Sequence, residues 1–148
     1  FTIIFPANKV AEIQPAEKVF SEAIDGNRET ILVVDDEPQI AHVLRLMLES
    51  LDYRVIAHTR SREALGAFEE APHQFDLVIT DMTMPELTGE ELALALHQRV
   101  PNIPIILCTG FNEHMNEERA RQIGIPYFIY KPVGRSVLAD VVKRALEK

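Results

Sequence analysis

From residue 30 onward, short apolar runs alternate with longer segments in which apolar residues recur at helical spacing. Continuous apolar runs at residues 31–34, 77–80 and 105–108 predict strands that are buried on both faces. Two further strands are predicted at residues 54–59 and 127–130.

The segments between the strands predict helices. Pro38 suits a first helical turn, and six apolar residues follow it at positions typical of one helix face: Ile40, Val43, Leu44, Met47, Leu48 and Leu51. Ser61 is predicted to cap a second helix. A third helix is predicted over 89–100, a more polar fourth over 112–122, and an amphipathic fifth over 137–146.

Five strands that alternate with five helices predict an α/β fold, a doubly wound parallel sheet with helices on both faces. We expect the strand order 2-1-3-4-5, with the second strand at an edge. In such sheets ligands bind beyond the carboxyl ends of the strands. Residues 1–28 show no long periodic pattern and are interpreted as a tail or linker, which leaves 29–148 as the folded domain.

Composition narrows the possible functions. The formal net charge of −8 argues against a general nucleic-acid-binding surface, which needs a basic face. One cysteine excludes an internal disulfide and suits a reducing compartment. Every apolar run is far shorter than the ~20 residues that span a bilayer, so we expect a cytoplasmic protein without membrane contact.

Chemically active side chains follow four of the five predicted strands. Asp35 and Asp36 come after the first strand, Asp81 after the third, Thr109 after the fourth and Lys131 after the fifth. Each of them alone would be an ordinary loop, cap or surface residue. Because the fold brings these strand ends to one rim, the five residues together predict a functional site.

The residue types indicate phosphoryl chemistry. Carboxylates crowded at one rim repel each other unless a cation joins them, and oxygen ligands favour Mg²⁺. A carboxylate can act as a nucleophile and form an aspartyl phosphate. A metal ion and a lysine would neutralise the transferring oxygens, and a threonine hydroxyl would donate a hydrogen bond to one of them.

Four motifs make the chain resemble the receiver domains of two-component response regulators. They are ILVVDDEP at 31–38, DMTMPELTG at 81–89, LCTG at 107–110 and KP at 131–132. The resemblance covers about residues 29–148 and implies a flavodoxin-like (βα)5 fold. It also implies that a histidine kinase or a histidine phosphotransfer protein donates a phosphoryl group from phosphohistidine.

The resemblance assigns a role to each matching residue. Asp81 is implied as the phosphoacceptor and as a Mg²⁺ ligand. Asp36 is implied as a direct ligand, the backbone carbonyl of Thr83 as a further one, and Asp35 as a ligand through water. The Lys131–Pro132 bond is expected to be cis.

Further residues are implied to transmit the signal. Thr109 corresponds to the switch hydroxyl and Lys131 to the phosphoryl-binding cation. Phe128 occupies the place of the switch aromatic, which is often Tyr in the family. Thr83 and Phe111 flank the mouth of the pocket, where the aromatic ring of Phe111 is expected to exclude water and slow the loss of phosphate.

The wider context is also an expectation. Residues 1–6 resemble the last strand of a histidine-kinase ATP-binding domain, so the chain is interpreted as the C-terminal receiver of a hybrid histidine kinase. The fourth helix, fifth strand and fifth helix are expected to form the readout face, which is also a candidate dimer surface.

Two alternatives compete with this interpretation. One is an interaction module that never accepts phosphate, although such modules typically lose an acidic residue or the lysine. The other is a phosphatase of the haloacid dehalogenase type, which usually needs an Asp where Thr83 stands. A receiver promotes its own phosphorylation and dephosphorylation without being a stand-alone enzyme.

Overall fold

The computed structural model describes residues 28–110 and 121–147. Its strands are β1 (Thr30–Val34), β2 (Arg54–His58), β3 (Leu77–Asp81), β4 (Ile105–Thr109) and β5 (Tyr127–Tyr130). The helices within these residues are α1 (Pro38–Ser50), α2 (Ser61–Glu70), α3 (Gly89–Arg99) and α4 (Arg135–Glu147), with a 3-10 turn at Pro72–Gln74. The predicted tail, apart from Arg28, and nearly all of the predicted helix over 112–122 lie outside the described residues.

The five strands form one parallel sheet in the order β2-β1-β3-β4-β5, which confirms the predicted topology. Every residue of β1, β3 and β4 is buried, as their continuous apolar runs predict, whereas β2 lies at an edge and is partly exposed. The carboxyl ends of β1, β3, β4 and β5 therefore meet at one rim.

The core has two layers because alternate strand residues point to opposite faces. Leu32 and Val78 belong to the layer that packs against α2 and α3. Ile31 and Ile79 belong to the layer that packs against α1 and α4. Burial on both sides of the sheet holds the strand ends, and hence the rim, in a fixed arrangement.

Helix α1 begins at Pro38, as predicted. A proline is tolerated there because the amide of the first helical residue has no intrahelical acceptor. Its buried stripe consists of Ala41, Leu44 and Leu48. Val43, which the sequence pattern placed on the apolar face, is 47% exposed. The stripe is therefore narrower than the sequence pattern indicates, and part of the apolar surface of α1 faces outward.

The start of α2 corrects one prediction. Ser61 is the first helical residue and not the cap; the N-cap is Arg60, and no side chain caps this helix. The hydroxyl of Ser61 is instead used in contacts with residues 85 and 87. Helix α3 has the true capping box, in which the Thr88 hydroxyl accepts from the Glu91 amide and the Glu91 carboxylate accepts from the Thr88 amide.

Candidate functional site

The predicted site residues come together at the carboxyl rim of the sheet. Asp35 and Asp36 directly follow β1, Asp81 is the last residue of β3, and Lys131 directly follows β5. One carboxylate oxygen from each of the three aspartates can be chosen so that all lie within 4.8 Å of one another. Asp35 and Asp81 are buried and Asp36 is half-buried. The rim thus concentrates three acidic groups in a small volume.

Lys131 lies between two of these carboxylates. Its ammonium Nζ is 2.8 Å from Asp81 Oδ1 and 3.3 Å from Asp35 Oδ2. The backbone holds it there, because the Lys131 amide donates to the Thr109 carbonyl at 2.8 Å, and the bond to Pro132 is cis. Burial alone would lower the pKa of Lys131, but the hydrogen bond to Asp81 and the charges of both carboxylates outweigh it and raise that pKa above its usual value. The lysine is therefore a permanent cation at the site.

Asp35 is the most deeply buried of the three aspartates, with 1% of its surface exposed. Its Oδ1 accepts the Glu37 amide at 2.9 Å. Its Oδ2 is buried, and within the described residues no group donates a well-aligned hydrogen bond to it. Burial raises the pKa of Asp35, and the Glu37 amide and Lys131 oppose this shift without cancelling it.

These properties fit a bound Mg²⁺ ion. The donor set is made of oxygen atoms, which a hard cation prefers. Among the described residues, Lys131 is the cation paired with Asp35 and Asp81, and its one positive charge is smaller than the charge of the three aspartates when all are ionised. Asp35 Oδ2 has only the Lys131 ammonium at 3.3 Å beside it among the described residues and no well-aligned hydrogen bond, and metal-bound water would supply one.

The chain just after β3 fixes the orientation of Asp81. The Met82 amide is shared by Asp81 Oδ1 and the Cys108 carbonyl, at 2.9 Å from each. The Met82 carbonyl accepts the Gly89 amide at 2.8 Å. A Cβ on Gly89 would lie 2.4 Å from the Asp81 carbonyl oxygen, so only glycine permits this approach. The sequence analysis did not predict this role of Gly89, although a glycine at the start of a predicted helix can indicate a close backbone contact.

The residues implied in switching flank this cluster. Thr109 is fully buried, and its hydroxyl donates to the Gly110 carbonyl at 3.3 Å. Phe128 is half-buried against the core layer of α2 and α3 and contacts Tyr130 edge to face, with ring centroids 5.3 Å apart. Thr83 is exposed on the loop after β3, and Phe111 lies outside the described residues.

Cys108 lies beneath the rim on β4. Its side chain is 1% exposed, as expected for a small apolar core residue, and burial raises the pKa of the thiol to about 12. The thiol therefore stays protonated and takes no part in the chemistry of the site.

The metal-free protein is expected to lose stability as pH rises through the titration of Asp35. Its pKa is raised in the folded state, so the stabilising contribution is complete below the ordinary value of 3.8 and is lost as pH rises through the folded value. Asp35→Asn removes this titration. We expect urea unfolding with a chelator present to show the wild type losing stability relative to the variant as pH rises from 3.8. A stability difference that is independent of pH would contradict this account.

Comparison of this sequence with known protein families supports the site described at the rim of the sheet. A sequence model of the response regulator receiver domain matches residues 31–143. The chain is 31% identical over 118 residues to the transcriptional regulatory protein GlrR of Escherichia coli, a match that covers 80% of this chain and 26% of that protein. The chain therefore spans about a quarter of the length of this relative.

Two solved structures share the architecture. A receiver domain protein from Clostridium thermocellum is 31% identical with a TM-score of 0.76, and the match covers 80% of this chain and 94% of that one. The receiver domain of a signal transduction histidine kinase from Syntrophus aciditrophicus is 34% identical with a TM-score of 0.71, covering 80% and 90%.

None of the helices in the described residues has the length and apolar character needed to cross a membrane. The matched family model extends from the first strand into α4 and includes every residue that forms the acidic rim. Sequence, sheet order and site geometry agree with one another, and this chain belongs to the response regulator receiver domain family.

Proposed function

We propose that this receiver accepts a phosphoryl group from phosphohistidine onto Asp81. The observation that carries the proposal is the ion pair of 2.8 Å between Lys131 Nζ and Asp81 Oδ1, inside a cluster of three aspartates. A carboxylate oxygen of Asp81 attacks phosphorus as the phosphorus–nitrogen bond to the donor imidazole breaks, and the imidazole leaves with the bonding electron pair.

The rim residues position and neutralise the reacting groups. The Met82 amide orients the Asp81 carboxylate, so little reorganisation is needed before attack. Lys131 supplies positive charge to the oxygens of the transferring group. Asp36, Asp81 and the Thr83 carbonyl would hold Mg²⁺, with Asp35 acting through water. Bound Mg²⁺ supplies further charge neutralisation on the phosphoryl oxygens.

The proposed output is a two-state change at the rim. An added phosphoryl group offers a new acceptor to the Thr109 hydroxyl, which now donates to the Gly110 carbonyl. Movement of Thr109 would give Phe128 room to change its contact with Tyr130. Phosphorylation would then favour one of two arrangements of the surface around β5.

We further propose a larger protein to which this receiver belongs. Its relatives include a transcriptional regulator and a receiver domain of a histidine kinase. We favour a hybrid histidine kinase in the cytoplasm, with a histidine kinase or a phosphotransfer protein as donor and a candidate dimer surface around β5. Residues 1–6, which suggested this origin, lie outside the described residues.

The proposal is tested by incubating the protein with acetyl phosphate, with and without Mg²⁺. We expect one phosphoryl group per chain, formed only with Mg²⁺ and located at Asp81 by peptide mass spectrometry after chemical trapping. Modification at another residue would refute the assignment. A protein that binds Mg²⁺ but stays unmodified by every donor would favour the phosphorylation-independent interaction module.

Mg²⁺ is also expected to stabilise the fold. At about 100 times its dissociation constant, the ion should add roughly 2.7 kcal/mol to the free energy of unfolding, because it binds the folded state alone. Asp36→Ala should cancel most of this gain by removing a ligand. Chemical unfolding with increasing Mg²⁺ measures the effect, and an equal gain in wild type and variant would remove Asp36 from the metal site.

A further inference from the structure

We infer that Ser61 is a positioning residue for the loop that carries the proposed metal ligand Thr83. The hydroxyl of Ser61 holds a strained turn in that loop, although Ser61 belongs to α2 and lies outside the aspartate cluster. The inference rests on the proposed function, because it concerns the affinity of the rim for Mg²⁺.

The turn spans Pro85, Glu86 and Leu87 in the connection between β3 and α3. The Leu87 amide donates to the Pro85 carbonyl at 2.9 Å, and Glu86 has φ 73°. A hydrogen bond between residues two apart, with a positive φ at the central residue, is the γ-turn form that is rare and strained. A side chain other than glycine keeps such a backbone only where the surroundings fix it.

Ser61 supplies that fixation with one hydroxyl group. Its Oγ donates to the Pro85 carbonyl at 3.0 Å and accepts the Leu87 amide at 3.0 Å, so it bonds to both ends of the turn. Ser61 is 1% exposed, so water cannot readily replace either hydrogen bond. The hydroxyl that the sequence pattern predicts as the cap of α2 thus bridges α2 to the phosphoacceptor loop.

The flanking residues add a weaker contact. Arg60 Nη2 donates to Glu86 Oε2 at 3.0 Å, and the Arg62 amide approaches Glu86 Oε1 at 3.5 Å. The Arg60 side chain is 62% exposed, and surface ion pairs contribute little to stability. The buried hydroxyl of Ser61 is therefore the principal polar contact between α2 and the turn.

The turn matters because Thr83 depends on its neighbours for position. Met82 is fixed through its amide and carbonyl, and Met84 is 6% exposed in the core. Thr83 lies between them and is exposed. If the turn from Pro85 to Leu87 relaxes, Met84 loses its anchorage on one side, and the Thr83 carbonyl becomes free to move away from the aspartates. Groups that bond directly to metal ligands typically change metal affinity by about 10–100-fold, and we expect Ser61, which acts through the loop, to have an effect at the lower end of that range.

The test compares Mg²⁺ affinity in wild type, Ser61→Ala, Ser61→Cys and Ser50→Ala by NMR titration well below the melting temperature. Ser50 is a matched control, because its hydroxyl also donates to a carbonyl, that of Met47, and accepts a hydrogen bond, from Arg135. It lies at the opposite end of α1 from the rim. We expect about tenfold weaker binding in both Ser61 variants and an unchanged constant for Ser50→Ala.

Amide hydrogen exchange gives a readout without metal, in which Leu87 should lose protection in the Ser61 variants while the strands keep theirs. If Ser61→Ala does not fold, the nearly isosteric Ser61→Cys decides the question. Equal Mg²⁺ affinity in wild type and a folded Ser61 variant would overturn the inference and leave the proposed function intact. A wild type that binds no Mg²⁺ would overturn both.

Discussion

Asp81→Asn is expected to accept no measurable phosphoryl group under conditions that fully modify the wild type. An amide has nearly the shape of a carboxylate but is not a nucleophile, so the acyl phosphate cannot form. The oxygen of the introduced side-chain amide can still accept the Met82 amide, so we expect the fold to survive. The measurement is the intact mass after incubation with acetyl phosphate and Mg²⁺, in which the wild type should gain one phosphoryl group and Asp81→Asn none.

A matched substitution lies at the other end of the same strand. Asp76 precedes β3, and its carboxylate Oδ2 accepts the Thr30 amide at 2.8 Å, far along the sheet from the rim. Asp76→Asn should therefore be modified at the wild-type rate. If Asp81→Asn were modified as readily as Asp76→Asn, the phosphoacceptor would be a different residue.

Gly89→Ala is expected to lower the free energy of unfolding by about 1–3 kcal/mol or more. The added Cβ would lie 2.4 Å from the Asp81 carbonyl oxygen and 3.0 Å from the Met82 Cα. Both neighbours are backbone atoms, and both are tied to β4 by the hydrogen bond from the Met82 amide to the Cys108 carbonyl. The loop must therefore shift as a unit, and we expect Mg²⁺ binding to weaken along with stability.

Gly66→Ala is the appropriate control, measured by the same urea unfolding experiment. Gly66 lies within α2, and apart from its chain neighbours and the nearby backbone of its own helix no heavy atom of the described residues would be within 4 Å of an added Cβ. Alanine favours a helix interior by roughly 0.5–1 kcal/mol over glycine, so this variant should be more stable than the wild type. Similar losses in both variants would show that crowding at the Asp81 carbonyl is not the cause.

The sheet was predictable because burial on both faces leaves a direct trace in the sequence. Strands β1, β3 and β4 are wholly buried, and each is a continuous apolar run. Once the strand order was inferred, the residues that follow the predicted strands could be assigned to the rim. Asp35, Asp81 and Lys131 therefore meet as expected.

Contacts between residues distant in sequence could not be predicted in this way. Ser61 sits where a capping serine would be expected, and nothing local indicates that its hydroxyl bonds to Pro85 and Leu87, more than twenty positions away. The width of the apolar stripe on α1 could not be predicted either, because the spacing of apolar residues does not show which of them a neighbouring element covers, and Val43 is exposed. Thr88 with Glu91 was by contrast readable as a capping box and was overlooked.

The burial of Cys108 makes this receiver a convenient host for site-directed labelling. It is the single cysteine of the chain, it is 1% exposed, and its thiol pKa of about 12 leaves almost no thiolate at neutral pH. A maleimide or nitroxide reagent should therefore leave Cys108 unmodified and react with a single cysteine introduced at an exposed position. Spectroscopic probes could then follow loop movements during phosphorylation without first removing a native thiol from the centre of the sheet.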